Sequence, residues 1–226
     1  MTSWEVGPTA QLAELVLARA RRRRVTRRGA ASGAIPAAPL VVAVDGRGGA
    51  GKSTLTRALC ASVPGAVALG TDDLAWNEPL FAWERLLVEA LSRLRDEGEL
   101  ELVPPAWPVH GRPGAVQVAA GAPLVVVEGT GASQRVAAGL LDAVVWVQSD
   151  DDVAEARGIA RDVEEGVNGD VTETVRFWHE WMAAERVFFA EDRPWERADV
   201  VVAGTPTVPL DALDSAWAPG PLGPQD

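Results

Sequence analysis

The feature that most constrains this chain is an apolar strand that leads directly into a glycine-rich loop. Residues 40–45 (LVVAVD) are almost wholly apolar, residues 46–53 follow as GRGGAGKS, and residues 53–62 have a helical pattern. The loop fits G-x-x-x-x-G-K-[S/T], in which glycines let backbone N–H groups converge on phosphate oxygens. A helix that begins at such a loop adds the positive end of its dipole. The sequence therefore predicts a phosphate-binding loop.

Within this loop, each residue type has a chemical task. Lys52 is the only lysine in a chain with twenty arginines, and it stands where a compact ammonium group reaches the β- and γ-phosphates of a nucleotide. The Ser53 hydroxyl is placed to ligate magnesium. We therefore predict ATP and Mg²⁺ as cofactors. The loop residues expected to bind the nucleotide are Gly48, Gly49, Ala50, Gly51, Lys52, Ser53 and Thr54.

The rest of the chain alternates apolar strand patterns with helical patterns. Short apolar runs suited to buried strands recur at 66–70, 124–128, 143–148 and 199–203. Continuous apolar strands that alternate with helices are typical of a parallel sheet covered on both faces. The sequence predicts a three-layer α/β/α domain over residues 37–215.

The two ends of the chain differ from this body. Residues 1–36 contain seven Arg and two Glu, a local charge of +5, and predict a basic helical arm followed by a linker. Its arginines either complement the dipole of the helix end or contact an acidic partner surface. Residues 216–226 are rich in Pro and Gly and predict a flexible tail.

Charge and composition exclude several classes of protein. The net charge of −11, concentrated in the body of the chain, argues against a nucleic-acid partner. No apolar run approaches the length that a membrane span needs. A single cysteine, Cys60, without a secretory signal pattern, indicates a cytoplasmic protein. The oligomeric state is open, with a homo-oligomer as one alternative.

Residues 41–59, VVAVDGRGGAGKSTLTRAL, resemble the uridine kinase and phosphoribulokinase family of P-loop kinases. The resemblance extends more weakly over residues 40–204, and it covers the acid before the loop, Asp45. It implies a kinase-type P-loop NTPase fold with a five-stranded parallel sheet in the order 2-3-1-4-5 and a small helical lid at about 154–169. It also implies transfer of the γ-phosphate of ATP to a small-molecule hydroxyl group.

The resemblance implies two acidic positions at strand ends. A general base is expected at the end of the second strand, where Asp72 and Asp73 are adjacent. The register favours Asp72, with Asp73 as the alternative, and either could instead cap the following helix. Glu128, which ends the run 124–128, is expected near the magnesium ion and its waters.

The resemblance also implies a lid and an acceptor site. Arg157 and Arg161 stand in RGIARD, similar to a lid motif, and share one helix face from which both could reach the phosphates. A solvated, salt-bridged face is the other interpretation. Trp178 and Trp181, in the helix predicted at 172–190, are interpreted as core. The residues expected to contact the acceptor are Trp76, Trp83, Trp107, His110 and Arg112.

The function implied is a kinase whose acceptor is a small-molecule hydroxyl compound, a nucleoside above all. A nucleoside-monophosphate kinase is an alternative, and it would need additional arginines at the acceptor, for which Arg85 and Arg112 are the candidates. An antibiotic or metabolite kinase is a second alternative. A regulator that binds ATP without catalysis is a third.

Overall fold

The computed structural model describes residues 3–30, 38–207 and 209–221. Its strands are β1 Glu5–Pro8, β2 Leu40–Gly46, β3 Val67–Gly70, β4 Leu100–Leu102, β5 Val116–Val118, β6 Leu124–Glu128, β7 Ala143–Gln148, β8 Val200–Ala203 and β9 Asp214–Pro219. Its α-helices are α1 Thr9–Ala30, α2 Lys52–Ala61, α3 Thr71–Ala75, α4 Glu84–Asp96, α5 Ala106–Val109, α6 Asp151–Glu165 and α7 Val171–Asp192. Short 3₁₀ helices span Arg135–Leu140 and Pro194–Arg197.

The large sheet has the strand order β1-β9-β8-β7-β2-β6-β3. Its strands β8, β7, β2, β6 and β3 are all parallel, which confirms the predicted five-stranded parallel sheet in the order 2-3-1-4-5. Two antiparallel strands that the sequence did not predict, β9 and β1, extend it beyond β8. Strands β4 and β5 form a separate antiparallel pair.

Strand β2 shows how the three layers form. Its side chains alternate, so that Val42 and Val44 pack among residues of α1 and α2 while Val41 and Ala43 pack among residues of α4. All four side chains are fully buried, as expected for a central strand covered on both faces. The carboxyl end of β2 therefore emerges between two helical layers, at the edge where ligands bind in folds of this type.

Helix α1 belongs to the core of the domain and is not the separate arm that the sequence predicted. Leu12, Val16 and Ala20 are fully buried on the α2 side of the sheet. Its arginines contact acidic residues of the same chain: Arg23 pairs with Asp199, and Arg24 pairs with Asp142 at 2.7 Å. These internal ion pairs account for part of the basic run. Residues 31–37 of the predicted linker lie outside the described residues.

The predicted tail is partly wrong, because its first residues form β9. Ala216, Trp217 and Ala218 are buried, and the strand pairs on both sides, with β8 and with β1. The Pro and Gly residues that indicated a flexible tail come only where the strand ends, from Pro219 onward. Residues 222–226 lie outside the described residues. Among the described residues, no helix combines the length and apolar character required to cross a bilayer.

Candidate active site

One cavity of about 910 Å³ opens at the carboxyl ends of β2, β3 and β6. The glycine-rich loop follows β2, Asp72 follows β3, and Glu128 ends β6, and all three contribute to its wall. Helices α6 and α7, joined by a short turn, form the opposite wall. The parallel topology thus gathers segments that are far apart in sequence around one space.

The phosphate loop has the backbone shape that its glycines allow. Gly49 and Gly51 have φ values of 75° and 97°, in the left-handed region that favours glycine. A Cβ on Gly49 would lie 2.0 Å from the carbonyl oxygen of Ala154, so only glycine fits beneath α6. Of the predicted nucleotide-binding residues, Gly48, Gly49, Gly51, Lys52, Ser53 and Thr54 line the cavity. Ala50 is buried behind them.

Lys52 is buried at the start of α2. Its Nζ donates to the carbonyl oxygen of Arg47 at 2.7 Å and to Thr130 Oγ1 at 3.4 Å. Burial lowers the pKa of Lys52 below its ordinary value of 10.5, and the nearby carboxylates, Glu128 foremost, oppose that shift. The ammonium group is therefore held in the cavity wall by neutral oxygens, where phosphate oxygens would be stronger partners.

Asp45, the acid before the loop, connects two loops at the floor of the site. Its fully buried carboxylate accepts hydrogen bonds from the backbone N–H groups of Gly46, Gly131 and Ser133 and from the Ser133 hydroxyl, at 2.7–2.8 Å. Burial raises the pKa of Asp45, and these hydrogen bonds act in the opposite direction. The contact fixes the loop after β6 against the start of the phosphate loop.

The two adjacent acids after β3 have different surroundings. Asp72 is exposed and lines the cavity. Asp73 forms an ion pair with Arg112, and its carbonyl oxygen accepts a hydrogen bond from Trp107 Nε1 at 3.0 Å. One acid therefore faces the space where a substrate would lie, while the other ties this segment to the loop that follows β4.

Of the five predicted acceptor residues, Trp76 lines the cavity. Trp83 is buried in the core. Trp107 is also buried, and the centre of its ring lies 3.7 Å from the guanidinium carbon of Arg112. His110 contacts the Trp76 ring edge-on, with 5.9 Å between ring centres. Arg112 therefore contacts both Trp107 and Trp76, and none of Trp107, His110 and Arg112 is among the described residues that line the cavity.

Arg157 and Arg161, the arginines of the predicted lid, line the cavity from α6. Arg157 donates to the carbonyl oxygen of Gly204 at 2.8 Å, and Arg161 donates to Asp162 at 2.7 and 2.9 Å. The buried Asp162 carboxylate also accepts from Trp178 Nε1 at 2.8 Å and from Asn168 at 3.2 Å. Asp162 therefore positions Arg161 and joins α6 to α7.

Sequence reasoning missed the part of the site that α7 contributes. Phe177, Trp178 and Trp181 line the cavity, and Trp178 is buried and Trp181 partly buried against the core, as their interpretation as core predicts. Phe177 and Trp181 are four residues apart and therefore share one helix face, but this spacing is equally typical of a core face, so the sequence carries no signal that separates the two. Buried Glu185, on the same helix, contacts the phosphate loop through Gly48 N–H at 2.9 Å.

The residues predicted to hold magnesium, Ser53 and Glu128, line the same cavity. Within the described part of the chain, no group of three or more His, Cys, Asp or Glu side chains could hold a metal ion by itself. Mg²⁺ nevertheless fits the site, because in nucleotide sites it takes only one or two protein ligands and completes its shell with phosphate oxygens and water.

Comparison with known protein families and with curated proteins finds no match. Solved structures do resemble the chain. D-glycerate 3-kinase from Cryptococcus neoformans var. grubii has a TM-score of 0.60 at 16% identity, over 86% of this chain and 94% of that one. A chain from Silicibacter sp. TM1040, provisionally assigned as a fructose transport system kinase, has a TM-score of 0.52 at 19% identity, over 81% and 95%. With the sheet order and the glycine-rich loop, these likenesses show that the chain has the fold of the P-loop kinases.

Proposed function

We propose that this protein is an ATP-dependent kinase that transfers the γ-phosphate to a hydroxyl group of a small molecule. The observation that carries the proposal is that Lys52 and Asp72 line one cavity beside a glycine loop at the start of a helix. That arrangement supplies a phosphate-binding cation, converging N–H groups and a carboxylate for the acceptor.

The nucleotide end of the cavity is the phosphate loop. The N–H groups of Gly49, Gly51 and the first turn of α2 bind phosphate oxygens, and Lys52 neutralises charge on the β- and γ-phosphates. Ser53 and Glu128 would hold Mg²⁺, which supplies charge neutralisation between the phosphates when bound. The loop Gly204–Thr205–Pro206, contacted by Arg157, is the proposed neighbour of the adenine ring.

At the acceptor end, Asp72 accepts the proton of the attacking hydroxyl group. Asp72 is favoured over Asp73 because it faces the cavity, whereas Asp73 is paired with Arg112. As the γ-phosphate moves, Lys52, Arg157 and Arg161 offset the charge that develops on its oxygens. The reaction breaks the bond between the γ-phosphorus and the β–γ bridging oxygen and forms one to the acceptor oxygen.

The proposed acceptor is a neutral hydroxyl compound with a planar face, such as a nucleoside. Trp76, Phe177 and Trp181 provide aromatic surface on the cavity wall, on which a flat ring can stack. A nucleoside-monophosphate kinase would need additional arginines at the acceptor, but neither candidate, Arg85 or Arg112, is among the described residues that line the cavity. The position of both arginines outside the cavity lining therefore favours the neutral acceptor.

An acceptor screen tests the proposal. Purified protein with MgATP is assayed for ADP release against uridine, cytidine, adenosine, the corresponding monophosphates, D-glycerate, fructose and an aminoglycoside. Acceptor-dependent turnover on a nucleoside, lost in Lys52→Ala, is the expected result. Turnover on D-glycerate or fructose would support the kinase activity but contradict the proposed acceptor class. Tight MgATP binding without turnover on any of them would favour the non-catalytic regulator.

A cytoplasmic location is the setting that we propose for this activity. The single cysteine, Cys60, forms no intrachain disulfide, and ATP is the predicted phosphate donor. Fractionation of cells that express a tagged chain would test the location, and recovery outside the cytoplasmic fraction would contradict it.

A further inference from the structure

The start of the phosphate loop is bound by a carboxylate that sequence analysis did not connect with it. Gly48, the third residue of the loop, donates its N–H to Glu185 Oε1 at 2.9 Å, and Arg47 Nη1 lies 3.0 Å from Glu185 Oε2. The Glu185 side chain is fully buried on α7. Both of its oxygens are therefore committed to two successive residues of the loop.

Arg47 is itself held from several sides. Its Nε lies 2.7 Å from Asp151 Oδ1 at the start of α6, and its guanidinium carbon lies 5.4 Å from the centre of the Phe189 ring on α7. Its carbonyl oxygen accepts the hydrogen bond from Lys52 Nζ. The Arg47 side chain thus bridges α6 and α7, while its backbone contacts the lysine expected to bind phosphate.

The same carboxylate also reaches the aromatic wall of the cavity. Trp181 Nε1 donates to Glu185 Oε1 at 3.3 Å, and Trp181 lines the cavity. One buried side chain therefore connects the phosphate loop with the surface proposed to contact the acceptor. Neither Arg47 nor Glu185 is among the described residues that line the cavity, so both act through their neighbours.

We propose that Arg47 and Glu185 are positioning residues that hold the phosphate loop in its nucleotide-binding shape and fix it to α6 and α7. The inference rests on the proposed function, because it assumes that this loop binds MgATP. The loop must curl to direct its N–H groups inward, and a fixed partner for Gly48 N–H maintains that curl before the nucleotide arrives. Without the pair, nucleotide binding would first have to order the loop.

A simpler interpretation is that the pair only stabilises the fold. The two interpretations differ because replacing a buried ion pair by apolar side chains of similar size often leaves stability unchanged or raises it. If stability is the whole role of Arg47 and Glu185, a variant that folds as well as the wild type should also bind nucleotide as well. If they position the loop, a variant that is as stable as the wild type should still bind nucleotide more weakly.

The experiment measures thermal unfolding without nucleotide and MgATP affinity by calorimetry in Arg47→Met/Glu185→Leu. We expect a melting temperature at or above that of the wild type, and a dissociation constant that rises about tenfold or more, the scale of a lost hydrogen bond to a charged group. Glu180→Leu, at an exposed site on the same helix, is the matched control and should match the wild type in affinity.

Glu185→Gln keeps the proposal testable if the double variant does not fold. It conserves shape but removes the charge that Arg47 faces in a buried pair, so we expect a lower melting temperature and, at a temperature where the variant is fully folded, weaker MgATP binding. Wild-type affinity in either variant would overturn the positioning role, as would a loss of affinity that only parallels a loss of stability. A wild type that does not bind MgATP would instead overturn the kinase proposal, and this inference with it.

Discussion

Gly158 of α6 and Trp178 of α7 pack so closely that a Cβ on Gly158 would lie 2.0 Å from Trp178 Cη2. The indole N–H of Trp178 donates to Asp162, and Asp162 holds Arg161. The absence of a side chain at Gly158 therefore allows α6 and α7 to approach closely. Through Trp178 and Asp162, this close packing also helps to position Arg161 at the cavity.

Gly158→Ala should destabilise the protein although alanine is the better helix former. The added methyl group must displace a buried indole, and overpacking of this kind costs about 1–3 kcal/mol. Thermal or urea unfolding measures the loss. Gly139→Ala is the control, since a Cβ there meets nothing within 4 Å, and it should be neutral or slightly stabilising. Equal stability of the two variants would contradict the close packing.

The sequence predicts the central sheet well because local and global signals agree there. The apolar runs at 124–128 and 143–148 predict strands with the bounds that β6 and β7 have. A short apolar run between turn residues, within a chain of alternating helices, has few alternatives to a buried parallel strand. The glycine-rich loop adds an independent signal for the strand before it and the helix after it.

The sequence does not predict what depends on long-range partners. Strand β9 is a short run, DSAWAP, whose β-structure comes from its pairing with β8 and β1. Glu185 resembles an ordinary polar residue of a long helix, and its burial follows only from the approach of Gly48 and Arg47. The predicted acceptor role of Trp107 and Arg112 could not be distinguished by sequence from the stacking that the structure gives them.

Asp72→Asn should separate catalysis from nucleotide binding. Loss of a general base costs typically about 10²–10⁴-fold in kcat, whereas the affinity for MgATP should change little, because the loop and Lys52 are intact. The measurement is steady-state turnover with the acceptor that the screen identifies, together with calorimetric binding of MgATP.

Asp73→Asn is the matched control for that variant. Asp73 and Arg112 are both partly exposed, so loss of the ion pair should cost at most about 1 kcal/mol of stability. The kcat of this variant should stay close to that of the wild type. A larger loss of kcat in Asp73→Asn than in Asp72→Asn would reverse the assignment of the base.

Lys52 allows a chemical test, because it is the only lysine of the chain. An amine-directed ester should modify the Lys52 side chain and the N-terminal amine. Bound MgATP should protect Lys52 but not the N-terminal amine. Burial lowers the pKa of Lys52, so its neutral, reactive form should be present at a lower pH than for an ordinary lysine. With nucleotide at about ten times its dissociation constant, labelling of Lys52 should slow about tenfold.

Peptide mass spectrometry distinguishes the two labelled sites. The N-terminal amine serves as the internal control, with equal labelling in both samples. Labelling of Lys52 at the same rate with and without MgATP would contradict the placement of the nucleotide on this loop.

The pH dependence of stability should report on Glu185. Burial raises its pKa above the ordinary value of 4.5, while Gly48 N–H, Arg47 and Lys52 oppose the shift. The folded protein therefore holds this proton more tightly than the unfolded chain does. By linkage, the stability that the Glu185 proton contributes is present below pH 4.5 and is lost as the pH rises through the folded pKa.

Urea unfolding of the wild type and of Glu185→Gln, from pH 4.5 to about 8, tests this sign. The unfolding free energy of the wild type minus that of the variant should fall as the pH rises, because the variant cannot ionise at this position. Glu180→Gln, at an exposed site on α7, should follow the wild type throughout. A difference that grows with pH would mean that Arg47 and Lys52 outweigh burial and that the ionised carboxylate is the stabilising form.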